Sequence, residues 1–240
     1  IRYHSPEGRG KYLPAAEYVY KAQAEGRGVY SFCMCPGGFV VPASTGPEET
    51  VVNGMSPANR GSRWANSGLV VELHPEDIPA TGIRVEDPTS PLALMQWCEA
   101  FEHKSYLAAN RSLRAPAQRM TDFVARRHSS TLPSSSYTMG LTSSDLHEWM
   151  PDFITRRLSA GFRAFDRTTR GFLTGEAQLI GVESRTSSPV RIPRDRITYA
   201  HPVVAGLYPA GEGAGFAGGI VSAAIDGENA AQQIALALGR

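Results

Sequence analysis

The chain has 240 residues, of which 42% are hydrophobic and 20% charged, and its formal net charge is +1. That length suggests one or two domains with a substantial core. The near-neutral charge gives no footprint for nucleic acid or an anionic membrane surface.

Residues 1–28 are polar and mixed. Residues 29–73 are β-rich. Val29 to Met34 reads as a strand, Pro36-Gly37-Gly38 as a turn, and Phe39 to Val41 as a second strand. Glu49 to Val52 reads as a third strand, closed by the turn signal Asn53-Gly54, and Gly68 to Leu73 as a fourth.

From residue 90 the pattern turns helical. Ser90 followed by Pro91 is a helix start, and Leu94, Trp97, Cys98 and Phe101 recur three or four residues apart. Pro116 is expected to open a helix through Met120, Phe123 and Val124. Residues 128–144 read as a loop. Ser144-Asp145 caps a short helix through Leu146 and Trp149. Pro151 opens a longer one with Ile154, Leu158, Phe162 and Phe165 on one stripe. Strands are expected again at Ala177 to Val182 and Val190 to Ile192, with Val203 to Leu207 running into a glycine-rich turn. A final helix is expected from about Gly219 to Leu238, with Ile220, Ala224, Ala231, Ile234 and Leu238 on its apolar face.

Three cysteines, Cys33, Cys35 and Cys98, cannot build a disulfide framework and suit a reducing, cytoplasmic compartment. No apolar run of about 18 residues is present to span a membrane. The polar start at Ile1 does not read as a leader, and a first residue other than methionine is expected of a trimmed, proteolysed or cloned fragment. Cys33 and Cys35 share one face if their strand is extended. They are the weak catalytic candidates, as a redox pair, against a structural reading as small buried apolar residues. The six histidines, His4, His74, His103, His128, His147 and His201, show no metal spacing, so no metal is expected.

The sharpest signal is Gly211-Glu212-Gly213-Ala214-Gly215-Phe216-Ala217-Gly218-Gly219, followed by Ile220. Gly213, Gly215 and Gly218 have G-x-G-x-x-G spacing. A dinucleotide fingerprint opens a βαβ unit, and only one helix fits between Gly219 and Arg240. The segment therefore reads as a closing strand–turn–helix whose helix N-terminus faces a ligand oxygen. The bland alternative is a tight strand-to-helix connection with glycines for packing.

Gly206 to Gly227 resembles the C-terminal FAD motif of a family of FAD-dependent dehydrogenases, often named NAD(FAD)-utilising dehydrogenases. Tyr30 to Gly38, Asn53 to Ser56 with Arg60 and Ala65 to Ser67, and Glu183 to Ile192 resemble the same family in the same order. The resemblance implies an α/β (α+β) architecture, in which a β-rich and helical substrate-side domain precedes the closing strand–helix of a glutathione-reductase-like FAD domain. The substrate-side domain would be residues 1–200, with a β-rich part at 29–73, a helical lobe at 90–166 and strands at 172–198. Residues 201–240 would return to the FAD domain.

The resemblance also implies FAD as cofactor, with Gly211 to Ile220 facing the flavin and ribityl side. Arg185 and Arg191 flank a turn rich in hydroxyls; Arg185, Thr186, Ser187 and Ser188 are expected beside the flavin ring, where a guanidinium stabilises reduced flavin, the alternative being a surface turn with solvated arginines. The family's N-terminal βαβ unit has no counterpart here, so this chain alone is expected to hold FAD weakly or not at all and to be inactive. The implied function is the C-terminal part of an FAD-dependent oxidoreductase acting on a small molecule. The alternative is a non-catalytic flavin-binding or interaction domain. A nicotinamide-binding dehydrogenase is disfavoured by the missing second strand.

Overall fold

The computed structural model describes residues 10–14 and 18–239. The polar start from Ile1 and His4 lie outside them. Helices are mixed with small, mainly antiparallel sheets, an α+β architecture. The chain divides into two compact units. One comprises Ile1–Arg84 with Glu99–Ser184, the other Val85–Cys98 with Arg185–Arg240. No helix among the described residues is long and apolar enough to cross a membrane.

The first unit is built on three small sheets. Strands β1 (Lys21–Ala24), β2 (Arg27–Pro36) and β5 (Ala65–Val71) form an antiparallel sheet in the order β1-β2-β5. The strands β3 (Phe39–Pro42) and β4 (Val52–Met55) pair antiparallel. Strand β6 (Ala115–Arg119) runs parallel to β7 (Leu141–Ser143) and antiparallel to β8 (Gln178–Ile180).

The expected third strand shifts along the chain. Asn53 and Gly54 do not form a turn but lie inside β4, opposite Val41 and Val40. A Cβ on Gly54 would sit 2.2 Å from Asn66 Oδ1 and 3.0 Å from Cys35 Sγ, so this glycine serves a close approach rather than a bend. The turn at Pro36-Gly37-Gly38 does form, with Gly38 N–H donating to Cys35 O over 3.1 Å.

The helix expected from Pro116 starts at Met120 instead. Residues 115–119 are strand β6, with Ala115 to Gln118 all buried. Proline is tolerated there because the ladder uses only its carbonyl, which accepts from Gly181 N–H at 2.9 Å. The buried Gln118 amide is satisfied by Arg127 O at 2.7 Å and His147 Nδ1 at 2.8 Å.

The helices at 146–149, 152–168 and 220–237 lie where the sequence places them. In chain order the helices are α1 (Ile78–Thr81), α2 (Ala93–Ala108), α3 (Met120–Ala125), α4 (Leu146–Trp149), α5 (Asp152–Thr168) and α6 (Ile220–Ala237). On α5, Phe153, Ile154, Leu158, Phe162 and Phe165 are buried. Phe162 and Phe165 meet Phe123, Phe172 and Tyr20 in an aromatic cluster with ring centroids 4.7–6.4 Å apart. Helix α5 lies close to β2 because Gly161 faces the buried Val29. A forked ion pair, Arg27 to both oxygens of Asp77 at 2.8 Å, pins β2 to the turn before α1.

The second unit is the first part of α2, a long irregular segment and α6. The strands expected at Val190 to Ile192 and Val203 to Leu207 do not form. A strand needs a neighbour for its ladder, and these residues use their backbone in turns. Ile192 N–H donates to Ala214 O at 3.1 Å, and His201 N–H to Leu207 O at 2.8 Å. The final helix forms where expected. Its expected apolar face is nevertheless not buried: Ile220 and Leu238 are exposed, and Ala230 is buried instead.

Candidate functional site

Two places gather the residues singled out in the sequence, one in each unit. In the first unit the site is a β-bulge. Phe32 pairs with Gly68 and Cys35 with Asn66, so Cys33 and Met34 together oppose the single residue Ser67. Cys33 takes the left-handed conformation at φ +45°. The extended strand that would put both thiols on one face is therefore interrupted. Cys33 is exposed and Cys35 is buried.

Around Cys35 the stretches at 30–38, 53–56, 60–67 and 183 converge. Its thiol donates to Cys33 O at 3.4 Å, and burial pushes its pKa up. Tyr18 Oη donates to Asn66 O at 2.9 Å, and burial pushes this phenol up to about 12. A Cβ on Gly68 would lie 2.2 Å from the Phe32 ring and 2.7 Å from Glu183 Oε2. Burial there raises the Glu183 carboxyl to about 7. Asn66 Nδ2 is buried and has no hydrogen-bond partner among the described residues. Gly37, at φ +61°, passes against the Arg60 carbonyl so closely that a Cβ would collide with it at 1.9 Å.

Glu183, Tyr18 and Asn66 are thus chemically distinctive members of this cluster. Glu183 and Asn66 fall inside the stretches singled out in the sequence, but their perturbation depends on burial, which spacing alone does not reveal. Among the described residues no three His, Cys, Asp or Glu side chains come together as metal ligands.

In the second unit the site is the glycine-rich loop. Gly211 at φ +73° and Gly215 at φ +82° bend it through conformations that favour glycine. At Gly215 a Cβ would also lie 2.8 Å from Val190 O. Phe216 N–H donates to Gly211 O at 3.1 Å and Gly215 N–H to Glu212 O at 2.8 Å, which curls the loop on itself. The N–H groups of Glu212, Gly213, Ala214, Ala217 and Gly218 donate to nothing among the described residues. Gly219 caps α6, with Ser222 Oγ accepting its N–H at 3.1 Å.

The 185–191 segment packs on this loop. Ser188 Oγ donates to Val190 O at 2.7 Å and lies 3.3 Å from Gly213 O. Ser187 Oγ is 3.9 Å from where a Gly218 Cβ would be. Arg191 Nε donates to Gly215 O at 3.0 Å. The structure thus brings Ser187 and Ser188 to Gly211–Gly219. Arg185 is exposed, and Thr186 is half-buried.

Two residues with no distinctive sequence pattern frame the loop. Arg194 makes a forked ion pair with Asp226, at 2.9 and 2.6 Å, and donates to Pro209 O at 2.8 Å. Asp226 also accepts the Gly211 N–H at 2.8 Å. The Arg194 guanidinium beside it holds the Asp226 carboxyl below the usual range.

Five uncommitted backbone donors, the exposed Ser187 hydroxyl and a helix N-terminus are an arrangement that can take oxygen atoms of low or negative charge. Gly213 and Gly218 carry no side chain to obstruct them, and no other group packs tightly into the space a Cβ would fill.

Comparison with known proteins adds the context. Residues 1–186 match the model of a family described as FAD-dependent protein, C-terminal domain-like. An uncharacterized protein of Clostridium beijerinckii is 42% identical over 226 residues, covering 92% of this chain and 41% of its own length. The chain therefore spans about two-fifths of the length of that relative. The match over most of the chain establishes its kinship: it belongs to the FAD-dependent protein, C-terminal domain-like family.

Proposed function

We propose that this chain is the C-terminal part of an FAD-dependent oxidoreductase, a dehydrogenase acting on a small molecule in the cytoplasm. The observation that carries the reading is the glycine-rich loop with its five uncommitted backbone donors. FAD, when bound, supplies two-electron chemistry. The backbone N–H groups of Glu212 to Ala214 and of Ala217 and Gly218 would hold it by donating to its oxygen atoms. Glu212, exposed at the loop's tip, accepts hydrogen bonds from sugar or ribityl hydroxyls. The 185–188 turn would lie beside the ring, where the Arg185 guanidinium would stabilise the reduced flavin.

The residues up to about 200 form the substrate-side body, and 201–240 close the FAD-binding domain. The packing of Ser187, Ser188 and Arg191 on the loop favours moving that boundary back to residue 185. In the body, Glu183 holds a proton near neutral pH beside Cys35, which suits it to donate or accept one.

The test is a visible absorption spectrum of the native polypeptide that carries this chain, with the chain itself purified in parallel. Flavin bands in the native polypeptide, bleached by a reduced nicotinamide or another donor, are expected, with weak or absent bands in the chain alone. Bands that no donor bleaches would leave the flavin a structural role. Bands in neither would overturn the reading.

A further inference from the structure

The glycine-rich loop needs something to hold it open. Its own two backbone bonds curl it, yet its start at Pro209 and Gly211 and its exit into α6 are fixed by other groups. Both are fixed by one buried pair. Arg194 reaches Pro209 O with Nη1 at 2.8 Å and grips Asp226 with both terminal nitrogens. Asp226 stands two turns into α6 and takes the Gly211 N–H with Oδ2. The guanidinium carbon lies over the ring of the loop's own aromatic, Phe216, at 3.6 Å and over that of Tyr199 at 4.1 Å. The two side chains are only 9% and 12% exposed.

We infer that Arg194 and Asp226 are positioning residues for the flavin site, fixing the loop so that its uncommitted N–H groups converge on one ligand. This rests on the flavin reading above. The charge balance decides between this role and direct contact. Asp226 occupies both ends of the Arg194 fork, so Arg194 has no uncompensated charge to offer a phosphate. Recognition at the loop therefore goes through the backbone, and the pair supplies shape. Lysine cannot substitute fully, because it lacks the fork and the guanidinium that lies over Phe216.

The experiment uses the native polypeptide and titrates FAD by the quenching of its fluorescence. D226N keeps an acceptor for Gly211 but loses the charge. It is expected to weaken FAD binding by about tenfold or more and to shift the visible maximum of the bound flavin. R194K, a milder change that serves if D226N does not fold, is expected to show a smaller loss and the same direction of shift. A230G, which replaces a buried alanine on α6 by a poorer helix former, is expected to lower stability and to leave both affinity and spectrum as in the wild type.

Wild-type affinity and spectrum in D226N would overturn the inference while leaving the flavin reading standing. So would a spectral shift in A230G equal to that in D226N, because the effect would then be general loosening. A wild-type polypeptide that binds no FAD would overturn the flavin reading itself and this inference with it.

Discussion

At the scale of single residues, Glu183 is the group whose surroundings most change its chemistry. Its carboxyl is raised to about 7 by burial, against an ordinary value of 4.5. Between those two values the folded chain keeps a proton that the unfolded chain has released. Stability therefore falls as pH rises through that window and levels off above it. Glutamine at this position carries no such penalty. The urea midpoint of E183Q, minus that of the wild type, is expected to grow more positive from pH 5 to pH 8. A difference independent of pH would place the carboxyl in water and remove it as a proton donor. The thiols show the same dependence on surroundings. Cys33 and Cys35 are two residues apart in sequence, yet one is exposed and the other buried, because a bulge intervenes. Alternation along a strand could not show this, since a bulge depends on the partner strand.

At the scale of elements, the contact between α5 and β2 depends on Gly161. Alanine is the better helix former by about 1 kcal/mol, which favours G161A. Against that, the new Cβ would lie 2.6 Å from Val29 Cγ1 and 3.1 Å from Val29 Cβ. Val29 is fully buried and cannot retreat. Overpacking of this kind costs about 1–3 kcal/mol, so the clash wins and G161A is expected to be less stable than the wild type. Chemical denaturation measures the sign, and a stabilised variant would mean that the sheet shifts to accept the methyl. The amphipathic stripe of α5 was legible because period and cap agree: Pro151 starts it, and Phe162 and Phe165 fall inward. Asn53-Gly54 and Pro116 misled for a common reason. Turn and helix-start signals describe what a residue tolerates locally, and here the contacts with Asn66 and Gly181 outweighed those preferences.

At the scale of the whole molecule, the last helix leaves apolar surface in water. Ile220, Val221 and Ile225 near its start, and Leu236 and Leu238 at its end, are all exposed. Apolar residues concentrated on one element of a chain this size promote association. The isolated chain is expected to show concentration-dependent self-association by sedimentation velocity, and I220S/V221S to reduce it. A chain that remains monomeric at high concentration would contradict this. The family match reaches residue 186, and the relative from Clostridium beijerinckii is much longer than this chain.

The sequence by itself determined the α+β class, the major helices, the kinship with FAD-dependent proteins and the glycine-rich turn before the last helix. Each rests on a local or near-local pattern: a period, a cap, or a run of glycines whose φ values need no side chain. Tertiary structure alone decided which polar groups are shifted and which backbone donors stay uncommitted. The approach of Glu183 to Gly68 joins residues more than 100 positions apart. The Arg194–Asp226 pair joins two sides of one loop across 32 positions. Such contacts leave no periodic trace, because the energy of a buried charge or an ion pair depends on what surrounds it in space.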